Sequence, residues 1–328
     1  MKPRPRVVDA VLDAMRVHRT FCVVGHVRPD GDCIGCQLAL AGAIEKLGKK
    51  VVVWNEDPLP EKLAFLDPQR LLRPPRTGAS FDCVVAVDAA SYERLGRVGD
   101  CIRNRKCLVN IDHHPSNTRF GDVNWVDARA PATGELIYRL FQYAAWPVTP
   151  RIADCLFAAI STDTGSFQYP STRPSSFAVA GELVKRGANL AGICREVYQS
   201  CPLSRVRLLR HVFNRFRLTH QDQIAYVWLK PVDFVRTGAS PAEAEGLIDH
   251  LRAIEPVVVA CVFEELEPDF VRVSLRSKDP RVDVNRIASA FGGGGHAAAA
   301  GARIRGPRLS IQRRLLAAIQ ESINQPSC

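Results

Sequence analysis

The chain has 328 residues, a length that fits two domains better than one. Its apolar content of 46% is ordinary for a globular protein, and no low-complexity tract interrupts it. The formal charge of +10 favours a polyanionic or phosphorylated partner, although charge alone does not establish nucleic-acid binding. No apolar run approaches the ~20 residues needed to cross a bilayer, so we expect a cytoplasmic protein that makes no membrane contact.

Short apolar strands alternate with helices through the first half of the chain. Strands are predicted over residues 21–25, 51–54, 82–87 and 106–111. Helices are predicted over residues 35–47, 133–145, 151–160 and 175–186. The strands are continuous in their apolar character, as buried parallel strands tend to be. The alternation therefore predicts a parallel sheet with helices on both faces.

The pattern changes near residue 190. A helix predicted over residues 203–218 lies in a stretch with six arginines between Arg195 and Arg217, and indicates either a solvated face or a basic wall between two lobes. Beyond it, strands are predicted over 223–229, 257–263 and 270–276, and helices over 241–252, 284–291 and 308–323. We therefore predict an α/β chain with a Rossmann-like domain at 1–190, a helical linker at 191–219, and a smaller C-terminal α/β domain with a mixed sheet at 220–328.

Acidic residues and histidines follow four apolar segments of the first domain. They are His26, Asp30, Asp32, Asp88, Asp112, His113, His114 and Asp163. Parallel α/β folds place their chemistry on loops outside the carboxyl ends of the strands. Carboxylate and imidazole bind divalent ions such as Mn²⁺, and two such ions can stabilise the attacking and leaving oxygens of a displacement at phosphorus. The order of these residues therefore indicates a two-metal phosphoesterase site.

Each motif has a second interpretation when it is taken alone. Asp32 is a good N-cap for the helix that follows it, and Asp88 can equally begin a helix. Asp163 follows a predicted helix and carries little information by itself. Cys33 and Cys36 form a C-x-x-C pair, but a zinc ribbon needs a second pair, so we interpret this pair as coincidence at a helix start. The metal site is favoured because four motifs occur in order along one predicted sheet.

At this point the motifs resemble those of the DHH phosphoesterase superfamily, whose defining triplet is present as Asp112-His113-His114. The tract GGGGH at 292–296, followed by AAAG at 298–301, resembles the glycine-rich signature of the DHH-associated carboxy-terminal domain. The resemblance covers nearly the whole chain. In size, the chain most resembles the members of the branch of bifunctional oligoribonucleases and phosphoadenosine-phosphate phosphatases.

The resemblance implies a role for each residue of the first domain. His26 and Asp30 would hold one ion, with Asp88 as a bridge to the second. The second ion would be held by Asp32, His113 and Asp163. His114 would contact the scissile phosphate or assist its leaving oxygen, and it is counted as catalytic together with Asp88 and Asp112. The expected cofactors are two Mn²⁺ ions, with Mg²⁺ or Co²⁺ as alternatives.

In the second domain the resemblance implies residues that hold the non-scissile end of the substrate. They are Arg276, His296, Gly293, Gly294, Gly295, Ser277 and Asn285. A glycine run lets backbone N–H groups approach phosphate oxygens and form an anion-binding nest, although glycine runs are more often flexible loops. Arg276, at the end of a predicted strand, adds a bidentate phosphate contact.

Together these features predict a metal-dependent enzyme that hydrolyses RNA or DNA oligonucleotides of about two to five nucleotides by attack of a metal-bridged water. Phosphoadenosine phosphate is a further expected substrate, through loss of its 3′-phosphate. One alternative is a phosphodiesterase for linear or cyclic dinucleotides. Another, from a different class, is a non-catalytic nucleic-acid-binding module that uses the basic linker. The intact metal ligands argue against the last, and a homodimer is left open.

Overall fold

The structure, a computed structural model, describes residues 5–324. Residues 1–4 of the predicted first domain and residues 325–328 of the predicted second domain therefore lie outside the described residues. The chain divides into two units, Met1–Ser200 and Cys201–Cys328. The arginine-rich segment that follows residue 201 therefore lies with the second unit. Among the described residues, none of the helices combines the length and the apolar character needed to span a membrane.

The first unit is built on a parallel sheet. Its strands are β1 Thr20–Val24, β2 Lys50–Trp54, β3 Leu72–Arg73, β4 Phe81–Val87, β5 Arg105–Asp112 and β6 Val123–Val126. Its helices are α1 Arg6–Val17, α2 Gly31–Lys46, α3 Arg97–Cys101, α4 Thr133–Ala144, α5 Pro150–Asp163, α6 Pro174–Lys185 and α7 Leu190–Tyr198. Short 3₁₀ turns cover Glu61–Leu66 and Tyr92–Leu95. Within residues 5–324 the six strands pair in the order β3-β2-β1-β4-β5-β6, which confirms the predicted parallel sheet.

Both faces of this sheet are buried. On β1, Phe21 and Val23 pack into the large core formed with α1, α2, α4 and α5, whereas Cys22 and Val24 pack into a smaller core under α3. A strand that is covered on both sides needs an unbroken apolar sequence, which explains the pattern of β1 and β4. Because β1, β4 and β5 are neighbours and run in the same direction, the loops that follow them meet at one edge of the sheet.

The second unit is built on a mixed sheet, which confirms that prediction. Its strands are β7 Arg217–Thr219, β8 Ile224–Leu229, β9 Val259–Glu267, β10 Phe270–Ser277, β11 Gly294–His296 and β12 Ala299–Arg305. Its helices are α8 Leu203–Phe213, α9 Pro231–Thr237, α10 Leu247–Arg252, α11 Val284–Ser289 and α12 Arg308–Asn324. The strands described pair in the order β11-β12-β10-β9-β8-β7, with β8 and β9 parallel and the others antiparallel. Helices α11 and α12 cover one face, and α8, α9 and α10 pack on the other.

Two predicted helices of the second unit are shorter than expected. The helix predicted over 203–218 ends at Phe213, because Arg217 pairs with Tyr226 in the β7–β8 ladder. The helix predicted over 241–252 is interrupted at Gly246, whose φ of 73° lies in the left-handed region that breaks a helix. A 3₁₀ turn over Pro241–Ala244 precedes the break, and α10 follows it.

Several elements were not predicted. They are α1, β3, α3, β6, α7, β7, α9, β11 and β12. The edge strands β3 and β11 have two and three residues, too few for a periodic signal. Near the candidate site, α2 begins at Gly31 rather than at residue 35, and α5 continues to Asp163 rather than ending at residue 160.

Candidate active site

The loop after β1 carries the first group of ligands. Asp30 is the N-cap of α2, since its Oδ1 accepts a hydrogen bond from the Cys33 N–H at 3.0 Å. The interpretation of Asp32 as the N-cap is therefore wrong by two residues, and Asp32 instead lies inside the first turn of the helix. Arg28 adopts a φ of 56°, so the loop bends sharply between His26 and Asp30.

Asp32 is buried and accepts hydrogen bonds from another helix. Its Oδ2 lies 2.6 Å from the N–H of Thr133, and its Oδ1 lies 2.8 Å from the N–H of Gly134. The thiol of Cys36 also donates to Oδ1 at 3.3 Å. Burial is the largest cause that raises the pKa of Asp32 well above its ordinary value, and the negative charges of Asp88, Asp163 and Asp30 raise it further. A cation beside this carboxylate would favour its charged form.

Asp88 is the central carboxylate of the site. It follows β4 with a φ of 56° and is 2% exposed. Its Oδ2 lies 3.4 Å from Nε2 of His26, and its Oδ1 lies 3.7 Å from Nε2 of His113. Burial raises the pKa of Asp88, but the hydrogen bond from His26 and the charges of His114 and His113 outweigh it and hold this pKa well below the ordinary value. The two oxygens therefore face two different histidines.

The two inner histidines present the same nitrogen to the carboxylates. Nδ1 of His26 lies 2.9 Å from the carbonyl oxygen of Val27, and Nδ1 of His113 lies 3.1 Å from that of Ala130. The guanidinium Nη2 of Arg94 is also 3.2 Å from Nδ1 of His26, so the carbonyl is the nearer neighbour. An Nδ1–H that donates to a carbonyl leaves the Nε2 lone pair free for a metal ion. Both rings thus present Nε2 to the carboxylates of the site.

His114 points its Nδ1 at a different carboxylate. Nδ1 lies 2.8 Å from Oδ1 of Asp112, whose Oδ2 accepts a hydrogen bond from Nδ2 of Asn117 at 2.6 Å. Burial lowers the pKa of His114, but the hydrogen bond to Asp112 and the charge of Asp88 outweigh it and raise this pKa to about 9. Asp112 therefore fixes the orientation of an imidazolium that retains a proton on Nε2 at neutral pH.

Asp163, in the last turn of α5, completes the arrangement. Its Oδ2 lies 3.3 Å from Nε2 of His113. Among the described residues, the ligand atoms form two groups, each with all atoms within 4.8 Å of one another, that match the sets implied for the two ions. The groups are His26, Asp30 and Asp88, and Asp32, His113 and Asp163. A third group contains Asp88, Asp112 and His114. Four buried or half-buried carboxylates with imidazole neighbours form a donor set that fits divalent cations.

In the second unit, Arg276 and His296 lie in one row across three strands. Arg276 on β10 is opposite Ala299 on β12, and Ala299 is opposite His296 on β11. Directly opposed residues of antiparallel strands point to the same face of a sheet, so both side chains share a face. Nε of Arg276 also lies 4.0 Å from Oδ1 of Asp249. The structure thus brings the two predicted substrate holders together.

The other predicted substrate residues fall into two kinds. A Cβ added at Gly294 would lie 3.8 Å from Oδ1 of Asn285, so the Asn285 amide lies beside the glycine tract. Ser277 is buried, and its hydroxyl donates to the carbonyl of Asp279 at 2.8 Å. That hydroxyl holds a turn after β10, which makes Ser277 the weakest of the predicted contacts.

Part of the glycine tract forms an edge strand rather than a flexible loop. Gly294 pairs with Gly301 of β12, and the N–H of Gly293 donates to the carbonyl of Ala288 at 2.9 Å. A Cβ at Gly293 would collide with the Gly301 carbonyl, and Gly295 has a φ of 151°. The glycines are therefore required for the close approach of β11 to β12. Contact of this tract with a substrate stays a prediction.

The sequence analysis missed residues that support the ligands from a distance. Thr133 donates from Oγ1 to Oδ1 of Asp88 at 2.9 Å, in addition to its N–H bond to Asp32. Asn117 donates a hydrogen bond to Asp112, and the closeness of the two residues in sequence is the one feature that could have indicated this contact. No local pattern connects Thr133 with Asp32, because 101 residues separate them.

Two family models match the chain. Residues 20–160 match the N-terminal domain of the DHH family, and residues 221–325 match the DHHA1 domain. The bifunctional oligoribonuclease and PAP phosphatase NrnA of Thermus thermophilus is 33% identical over 327 residues, covering 98% of this chain and 94% of that protein. The Bacillus subtilis protein of the same name is 29% identical over 298 residues, covering 90% of this chain and 92% of that protein.

A solved structure shares the fold. The crystal structure of an exopolyphosphatase-related protein from Bacteroides fragilis has a TM-score of 0.87 at 23% identity and covers 98% of each chain. The order of the two family domains and the identity over nearly the full length of the NrnA proteins are decisive. The chain therefore belongs to the DHH family of phosphoesterases, in the group of the bifunctional oligoribonuclease and PAP phosphatases, and it is a hydrolase of phosphate esters.

Proposed function

We propose that the protein hydrolyses oligonucleotides of about two to five nucleotides to mononucleotides, and removes the 3′-phosphate of phosphoadenosine phosphate, with two divalent ions. The observation that carries the proposal is the pair of ligand groups around Asp88, each of which offers carboxylate and imidazole atoms within 4.8 Å of one another. The relatives from Thermus thermophilus and Bacillus subtilis, which are named for both activities, support the choice of substrates.

The ligand groups fit the two ions that the family resemblance implies. His26, Asp30 and Asp88 would hold one ion. Asp32, His113 and Asp163 would hold the other. Ions bound there would supply Lewis-acid stabilisation of the charge that develops at phosphorus. Mn²⁺ is the first choice because it accepts both carboxylate and imidazole, and Mg²⁺ or Co²⁺ are the alternatives.

The remaining residues bind and orient the substrate. His114, held by Asp112, donates from Nε2 to an oxygen of the scissile phosphate or to its leaving oxygen, because its raised pKa keeps the proton in place at neutral pH. Arg276 and His296 share one face of the second sheet and hold the distal end of the substrate. A guanidinium contributes a bidentate contact to a phosphate, which a short oligonucleotide carries at every internucleotide link.

A side-by-side substrate assay tests the proposal. The purified protein with Mn²⁺ is offered a dinucleotide, a pentanucleotide, a strand of roughly 24 nucleotides, phosphoadenosine phosphate and cyclic dinucleotides. We expect kcat/KM for the dinucleotide to exceed that for the long strand by at least about tenfold, and EDTA to abolish turnover. Equal turnover of the long strand, or full activity in EDTA, would contradict the proposal. A clear preference for cyclic dinucleotides would favour the phosphodiesterase alternative.

The arginine-rich helix α8 is the feature that a non-catalytic binding module would use. Two arginines of this segment are already engaged within the second unit. Arg205, on α8, donates to the carbonyl of Glu243 at 2.7 Å, and Arg215, just after α8, lies 3.1 Å from Oδ1 of Asp233. Fewer cations therefore remain to neutralise phosphates. The module alternative predicts tight binding of long strands that weakens steeply with salt, and the enzyme proposal predicts a shallow dependence.

A further inference from the structure

One buried residue, Thr133, makes hydrogen bonds to a carboxylate of each ligand group. Its N–H donates to Oδ2 of Asp32 at 2.6 Å, and its hydroxyl donates to Oδ1 of Asp88 at 2.9 Å. The next residue, Gly134, donates its N–H to the other oxygen of Asp32 at 2.8 Å. Thr133 is 0% exposed, so neither bond competes with solvent. The first turn of α4 thus connects both groups.

The N-terminus of α4 is built for this contact. The N-cap position is Ala132, which has no side-chain acceptor, so the first N–H groups of the helix require a partner from elsewhere. Asp32 supplies that partner from α2. A Cβ at Gly134 would lie 2.8 Å from Cβ of Ala159 and 3.3 Å from Oδ1 of Asp32, so glycine allows the close approach. Thr133 and Gly134 therefore bind the carboxylate of Asp32 in addition to beginning the helix.

The hydroxyl of Thr133 has a separate effect on Asp88. A carboxylate that bridges two ions must direct one oxygen at each group, and rotation about its terminal bond is intrinsically broad. The hydrogen bond to Oδ1 removes that freedom and leaves Oδ2 3.4 Å from Nε2 of His26, with Oδ1 3.7 Å from Nε2 of His113. Partners of this kind orient metal ligands, and their loss typically lowers metal affinity about ten- to a hundredfold.

We propose that Thr133 is a positioning residue for both ion sites: its N–H fixes Asp32 and its hydroxyl fixes the bridging rotation of Asp88. The proposal rests on the two-ion chemistry of the proposed function. The two hydrogen bonds of Thr133 can be tested separately, because valine at this position keeps the N–H and the branched shape but removes the hydroxyl. Serine keeps both donors and removes only a methyl group.

The test measures Mn²⁺ binding to chelated, full-length protein by isothermal titration calorimetry. We expect Thr133→Val to bind at least one Mn²⁺ about ten- to a hundredfold more weakly than the wild type, and Thr133→Ser to stay within about threefold. Thr237→Val is the matched control. Thr237 is also a buried helical threonine, but its hydroxyl donates only to the carbonyls of Asp233 and Phe234, so Mn²⁺ binding should not change.

Thermal unfolding of the chelated variants separates positioning from a purely structural role. A structural role predicts that Thr133→Val lowers the Tm and leaves Mn²⁺ affinity unchanged, a result that would overturn the proposal. Equal weakening in Thr133→Ser would overturn it as well. If Thr133→Val does not fold, Thr133→Ala carries the same test, since it removes the hydroxyl without added bulk. A wild type that binds no Mn²⁺ refutes both proposals, whereas tight Mn²⁺ binding without hydrolysis refutes the proposed function alone.

Discussion

Removal of divalent ions should make the first unit lose stability as the pH rises. Burial, together with the carboxylates of Asp88 and Asp30, raises the pKa of Asp163 from 3.8 to about 7, although His113 opposes the shift. In the unfolded chain this carboxyl returns to its ordinary pKa. The folded chelated protein therefore holds a proton that the unfolded chain releases between these two values.

The sign and size follow from proton linkage. Because the folded state binds more protons than the unfolded state, the free energy of unfolding falls as the pH rises. The decline begins as the pH passes 3.8, the ordinary pKa of the carboxyl, and ends once the pH exceeds about 7, its pKa in the folded protein. The shift corresponds to about 4 kcal/mol in total, of which about 2 kcal/mol is lost between roughly pH 5.5 and 8.5. His114 acts in the same direction, since the stability linked to its raised pKa is lost as the pH rises towards about 9.

Urea unfolding at about pH 5.5, 7 and 8.5 measures the effect, in EDTA and in saturating Mn²⁺. We expect the chelated wild type to lose stability across this range, and Asp163→Asn to lose about 2 kcal/mol less because the titrating carboxyl is gone. With Mn²⁺ the trend should reverse, since ions bind the deprotonated ligands. A chelated wild type with constant stability, or the same decline in Asp163→Asn, would refute the reasoning.

Three further predictions concern single residues. Asp88→Ala removes the proposed bridge between the two ions, so activity should fall by several orders of magnitude and bound Mn²⁺, measured by mass spectrometry, should drop. Activity within about tenfold of wild type speaks against a bridge. Arg276→Ala should raise KM for a dinucleotide about ten- to a hundredfold. The metal content and the turnover of bis-p-nitrophenyl phosphate should not change. Unaltered dinucleotide kinetics would show that Arg276 is not part of the site. Gly293→Ala should lower the free energy of unfolding in urea by about 1–3 kcal/mol, because the added Cβ collides with the Gly301 carbonyl. Gly294→Ala is the control, since its Cβ would meet only Asn285 at 3.8 Å. Equal losses in the two variants would show that strand packing does not require Gly293.

The parallel sheet and the gathering of the ligands were predictable because their signals are local. Each motif follows an apolar segment, and parallel strands carry their terminal loops to one edge whatever the intervening sequence. The ends of α2 and α5 were less predictable. Gly31 begins α2 because Asp30 caps it, and the two aspartates of that loop are equally good caps by sequence alone. Helix α5 was predicted to end at residue 160, where its apolar run stops, yet it continues to Asp163. The hydroxyls of Thr162 and Thr164 donate to carbonyls of the same helix.

The supporting contacts could not be predicted, because they depend on tertiary structure. Thr133 reaches Asp32 and Asp88 only after α4 is placed beside α2, and single-sequence patterns carry no information on that distance. The strand formed by the glycine tract could not be predicted for a related reason. Gly293 and Gly295 are glycines because β12 lies against them, and a sequence cannot distinguish a run that admits a neighbouring strand from one that admits a phosphate.

The wide separation of the ligands along the chain has a consequence for biosynthesis. His26 to Asp32 leave the ribosome early, but the N–H groups that satisfy Asp32 belong to α4, 101 residues later, and Asp163 is synthesised later still. A nascent chain that lacks α5 offers the group of His26, Asp30 and Asp88 but not the complete second group, because that group needs Asp163. Occupation of both proposed ion sites therefore requires synthesis through α5, at a point where the second unit is still to be translated.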